Sequence, residues 1–206
     1  MAGRVPALKP RDGFLHVVND YRYFALAAAS WRQFGPSGPK QKQDQANNLV
    51  PGIGVLFQDS LLAHARALID FYAKDQPRPT DVVLADFDLS IKQARKDQVA
   101  SYKESIEVHL LHITAWRDVA YRSAATTLPA GLLRQRLDWD RENPRLIDAL
   151  MSALADVSEP PLTPWSQPFR LLHESATAVS SKPFALWPKE LTEKADVSAY
   201  LSSQGL

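Results

Sequence analysis

The sequence predicts an all-α fold: a helical bundle of four or five principal helices, followed by an irregular C-terminal arm rich in proline and aromatic residues. Three observations predict it. Apolar residues recur at three- and four-residue spacing through long stretches, the pattern that gathers side chains on one face of a helix. Proline and glycine collect at the ends of those stretches, where they start or stop helices. Strand-like composition has one short candidate, at residues 80–86, with no second segment to pair with it.

The first helix is expected over 12–34. Phe14, Val17, Val18, Tyr21, Phe24, Ala25, Ala28 and Trp31 share one of its faces, and Gly35-Pro36-Ser37-Gly38-Pro39 ends it. A polar connector is expected through Lys40-Gln41-Lys42-Gln43. The second helix is expected from Asn48 to Lys74, with Pro51 and Gly52 near its start and Pro77 and Pro79 beyond its end. Its apolar stripe is Val55, Phe57, Leu61, Leu62, Leu68, Ile69 and Tyr72, while Asp59, Arg66 and Asp70 share another side.

Residues 80–86 read as a loop or helical turn, and Asp88 to Thr126 is the longest stretch without Pro or Gly, one long helix or two with a bend. Asn143 fits an N-cap and Pro144 a first-turn position for a helix carrying Leu146, Ile147, Leu150, Met151 and Leu154, ending near Val157. After Glu159 the character changes. Six of the 15 prolines lie there, set among Trp165, Phe169, Phe184 and Trp187. The expected organisation is a bundle domain over 1–158 and an arm over 159–206 packed on it, with short helices near 169–178 and 190–201.

Composition excludes several function classes. Twenty-four basic and 23 acidic side chains leave a net charge of +1, so no global field recruits nucleic acid or an anionic membrane. The absence of cysteine removes disulfides, thiolate metal sites and thiol catalysis. No window approaches the roughly 18 apolar residues of a membrane span, and the N-terminus lacks an apolar leader. The expectation is a cytoplasmic protein with no membrane partner and no cofactor. Pro51-Gly52-Ile53-Gly54 lacks the Lys-Ser/Thr of a phosphate-cradling loop, and no Gly-x-Ser-x-Gly elbow is present.

Two segments can carry chemistry. In His109-Leu110-Leu111-His112-Ile113-Thr114-Ala115-Trp116-Arg117, helical spacing puts His109 and His112 on the apolar side with Tyr102, Ile106, Ile113 and Trp116. Two imidazoles there suit general acid–base work, because histidine titrates near neutral pH; as core-edge side chains they would simply bond neighbouring helices. A metal site is not expected, since neither His-Glu-x-x-His nor cysteine accompanies them. The second segment holds Asp59, Arg66 and Asp70, with Arg66 and Asp70 four residues apart as a natural helical ion pair. If that side faces the histidine helix, the acids, the guanidinium and the imidazoles form one polar network; otherwise it is a solvated face. Lys92, Arg95, Lys96 and Lys103 are interleaved with acids and read as surface.

His64-Ala65-Arg66-Ala67-Leu68-Ile69-Asp70-Phe71 resembles a helix of certain bacterial all-helical proteins, and His112-Ile113-Thr114-Ala115-Trp116-Arg117 resembles their later His-Leu-Thr-x-x-Arg segment. Those proteins in turn resemble the HEPN superfamily of helical bundles, whose active members are metal-independent endoribonucleases of toxin–antitoxin and phage-defence systems. The similarity spans about residues 48–120. In the active pattern an arginine four to six positions before the histidine orients phosphate. Ahead of His112 this chain has Val108, Glu107, Ile106 and Ser105, none basic, and the Lys103 that precedes His109 lacks the planar fork of arginine. The resemblance therefore implies the fold and a degenerate site, carrying over His112 and, more loosely, Arg66.

The expected function is a HEPN-like binding protein working through a protein partner or as a homodimer. Its candidate catalytic residues are His112, His109 and Arg66, and its candidate binding residues are Arg117, Asp59, Asp70 and Trp116. The alternatives are an endoribonuclease acting on RNA through the same residues, and an assembly protein using the C-terminal arm.

Overall fold

Pro10 sets the start of α1, Pro10–Phe34, where its fixed φ suits the first turn and its missing N–H would be unpaired in any case. The helix ends at Gly35, whose N–H donates to the Trp31 carbonyl at 2.7 Å. A Cβ on Gly35 would stand 2.5 Å from that same oxygen, so the close approach requires glycine. The computed structural model describes residues 8–35, 38–49, 53–107, 110, 130–158, 163–182 and 186–206. Among these are seven α-helices and two 3₁₀ turns, and no strand. The fold is all-α.

After α1 come α2 (Lys40–Leu49), α3 (Ile53–Ala73), a 3₁₀ turn (Leu84–Phe87) and α4 (Gln93–Ala100). Then follow a helical segment over 103–107, α5 (Ala130–Ser158), α6 (Ser166–Ser181), a second 3₁₀ turn (Lys189–Leu191) and α7 (Lys194–Ser203). α1 packs antiparallel on α3, with Phe34 beside Phe57 at one end and Tyr23 beside His64 farther along. α6 lies across α1 and α5.

All eight residues of the stripe expected on α1 are buried, and each large one contributes about 1.5–3 kcal/mol of transfer free energy. On α3 Leu61, Leu62, Leu68, Ile69 and Tyr72 are buried, but Phe57 is only partly covered and Val55 is exposed. Phe14, Phe71, Phe87, Trp165 and Phe169 join in one aromatic cluster. Its ring centroids lie 4.9 Å apart for Phe87–Trp165 and 5.2 Å for Phe14–Phe169, both edge-on. Deeper in, the Tyr21 hydroxyl donates to the Leu150 carbonyl at 3.1 Å and lies 2.6 Å from the Tyr72 hydroxyl. Burial, reinforced by Tyr72, pushes the Tyr21 phenol far above its usual pKa. Burial raises Tyr72 as well.

The structure departs from the sequence expectations in four places. The connector at Lys40 is the start of α2. Lysine and glutamine are good helix formers, and among the described side chains of α2 only Ala46 is buried, so no apolar stripe announces the helix. Asn48 consequently belongs to α2, and α3 begins at Ile53. Over its described part the long stretch from Asp88 takes the second of its two expected forms, helical pieces with a bend, but it begins later than expected. Asp88 sits in the left-handed region at φ 53°, which aspartate tolerates, α4 starts at Gln93, and a turn at 101–102 breaks it. Ser101 Oγ donates to the Gln98 carbonyl at that break. Finally, Asn143 is not an N-cap, because α5 runs through Pro144, and the packing of Leu146, Ile147, Leu150 and Leu154 outweighs the one ladder bond that proline removes.

Within the arm, the helix expected near 169–178 spans Ser166–Ser181 and that near 190–201 spans Lys194–Ser203. Both feed the core, through Trp165, Phe169, Leu172, Ala176 and Val179 on one side and Val197 and Leu201 on the other. Arginines of α1 fasten them: Arg11 to the Ser198 carbonyl and Ser202 Oγ, Arg22 to the Thr192 carbonyl, Arg32 to the Ser180 carbonyl at 2.8 Å. No helix among the described residues is long and apolar enough to cross a membrane.

Candidate functional site

The helical period that buries Leu62 and Ile69 places Asp59, Arg66 and Asp70 together on the half-buried flank of α3 beside them. Arg66 Nη1 meets Asp70 Oδ2 at 2.5 Å, the ion pair expected from their spacing. The remaining edge of the guanidinium is taken by Glu107: Nε donates to Oε1 at 2.7 Å, and Nη2 reaches the same oxygen. Lys103, one turn before Glu107, places its ammonium 3.1 Å from Asp70 Oδ1. Lys74 continues the row, 3.9 Å from Asp70 and 2.8 Å from Asp81.

This network fixes the segment 103–107 against α3. Partial burial works against charge on Asp70, but hydrogen bonds from Arg66 and Lys103 outweigh it and hold the carboxyl below the usual aspartate range. Arg66 shows the mirror effect: burial would lower its pKa, and Asp70 and Glu107 raise it. Three cations, Arg66, Lys74 and Lys103, face three carboxylates, Asp70, Asp81 and Glu107, so the row is close to neutral.

Beside the row, a cleft of about 260 Å³ opens between α1 and α3, with His16 and Asp20 on one wall and Asp70, Lys74 and Asp81 on the other. Asp20 also accepts from or pairs with His64, Nδ1 to Oδ1 at 3.0 Å, and the imidazole stacks on Tyr23 at 5.3 Å between centroids. This group of Asp20, Tyr23 and His64 was not legible beforehand, because its partners come from two helices 44 residues apart.

Of the residues singled out from sequence, Arg66 and Asp70 are brought into direct contact, and Asp59 lies half-buried on the same flank. Arg66 is thereby directed at the segment that leads into His109. His109, His112, Trp116 and Arg117 lie outside the described residues. Glu107 and Lys103 were missed as Arg66 and Asp70 partners. Spacing along one helix reveals pairs within it, whereas these bonds cross between elements. No cluster of histidine and carboxylate side chains among the described residues has the geometry to hold a metal ion. Compared with known proteins, the chain matches no family model, no curated protein and no solved structure.

Proposed function

We propose that this chain is a HEPN-like helical binding protein that acts through a protein partner or by self-association rather than by cutting RNA. The observation that carries the reading is the state of Arg66. Its guanidinium is spent on Asp70 and Glu107, so a phosphate would have to displace two carboxylates to reach it, and Glu107 would repel an RNA backbone. A clamp of this kind suits a fixed scaffold. Exposed apolar side chains support the partner reading: Tyr23 and Leu26 on α1 and Val55 and Leu56 on α3 offer contact area on helices that are otherwise rigidly packed.

One observation favours the ribonuclease alternative, namely that the Arg66 flank faces the segment running into His109. A single pair of measurements separates the two. Incubation of the purified chain with an end-labelled single-stranded RNA should leave the RNA intact, and light scattering should report a mass above that of the monomer. RNA cleavage that disappears in His112→Ala would replace this reading with the nuclease.

A further inference from the structure

Away from the Arg66 row, α6, the second 3₁₀ turn and α7 enclose a groove of about 620 Å³, within the size range of ligand sites. Leu171, Ala199 and the Tyr200 ring supply its apolar lining. Around it stand three carboxylates, Glu174 from α6, Glu190 from the turn and Asp196 from α7, against one ammonium, Lys189. Some acids on other helix flanks hold ion pairs, Asp70 with Arg66 and Lys103, Asp81 with Lys74, and Asp156 with Arg95. The carboxylates of Glu174, Glu190 and Asp196 make no ion pair or hydrogen bond among the described residues. The Tyr200 hydroxyl is held protonated, first by burial and then by Glu190 and Glu174, which places its ring within the field of both acids.

We propose that this groove is the docking site for a basic segment of a protein partner, which lays an arginine or lysine stem over Leu171 and Tyr200 and sets its cationic head among Glu174, Glu190 and Asp196. The chemistry is complementary at each level. An arginine or lysine side chain has an apolar stem for Leu171 and Ala199, its charge is attracted to the face of a tyrosine ring, and its N–H donors form charge-assisted bonds to carboxylates. Gln167, Ser203 and Gln204 at the edge can bond the backbone of an extended peptide, which a free amine does not offer. The assignment rests on the partner-binding reading above and adds to it the chemistry of the partner.

The test uses the full chain and a fluorescein-labelled peptide of alternating glycine with arginine and lysine, followed by fluorescence anisotropy. Saturable binding is expected, with a loss of about tenfold in affinity in the triple variant Glu174→Gln, Glu190→Gln, Asp196→Asn, three surface ion pairs being removed. A control with the same change in charge, Asp44→Asn, Asp75→Asn, Glu104→Gln, should bind within about twofold of the parent, and a peptide with citrulline for arginine and norleucine for lysine should not bind. Circular dichroism checks that both triple variants keep their helicity. Tyr200→Ala should weaken binding while Tyr200→Phe preserves it, since the ring face and not the hydroxyl holds the cation. No saturable binding, or equal weakening by the groove and control variants, overturns the proposal, as does spermidine that competes with the peptide and binds the groove just as tightly. In those cases an unchanged light-scattering mass above the monomer leaves the partner-binding reading standing, so the two can fail separately.

Discussion

The two flanks of α3 use the same helical geometry to opposite ends. One flank, with Leu61, Leu62, Leu68, Ile69 and Tyr72, is sealed in the core and meets α1 through close-packed apolar contact. The other, with Arg66 and Asp70, is partly open to solvent and meets the 103–107 segment through charge. The difference teaches which flank holds the fold and which one only orders it. Removing apolar volume from a sealed face leaves a cavity and loses transfer free energy together, whereas a half-exposed ion pair returns most of its Coulomb energy to water.

The largest expected effect is on the sealed side. Phe169→Ala empties the centre of the ring cluster, where Phe169 touches Phe14, Phe71 and Phe87, and should cost about 3–5 kcal/mol in urea unfolding. A loss under about 1 kcal/mol would mean that the cluster can collapse around the gap and that α6 is not integral to the core.

A smaller and directional effect is expected at the tyrosine pair. The single hydroxyl proton of Tyr21 goes to the Leu150 carbonyl, so Tyr72 must donate to Tyr21. Tyr21→Phe therefore strands a buried donor and should destabilise by about 1–3 kcal/mol, while Tyr72→Phe leaves Tyr21 its bond to Leu150 and should cost about 1 kcal/mol or less. Equal losses in the two variants, measured by chemical denaturation, would break the assignment of donor and acceptor.

The smallest effect belongs to the open flank. Asp70 has its pKa lowered from the ordinary 3.8, so its pairing stabilises the fold above about pH 4 and is lost as pH falls through the lower value of the folded state. Asp70→Asn should cost less than about 1 kcal/mol at neutral pH after solvent screening, and its stability curve should merge with that of the parent in acid. A gap that persists unchanged at pH 2 would show that Asp70 acts through packing rather than charge.

Much of this contrast was legible in advance. The stripe of α1 emerged complete because each of its positions repeats on one period, and Arg66 with Asp70 was visible because the two share a helix. What escaped was set by other rules. α2 carries almost no apolar signal, so periodicity passes over it. Asn143-Pro144 has the local chemistry of a helix start, yet α5 begins at Ala130, a case of packing overriding a local preference. Glu107 and Lys103 joined the site, and Asp20 met His64, through tertiary contacts that no spacing along the chain encodes.

The aromatic cluster also imposes an order of events on synthesis. Phe14 and its ring partners Trp165 and Phe169 lie far apart in sequence, so the ribosome, adding about 5–20 residues each second, delivers them roughly 8–30 s apart. Through that interval the edge of the Phe14 ring that meets Trp165 and Phe169 has only the Phe87 side of its cluster to pack on.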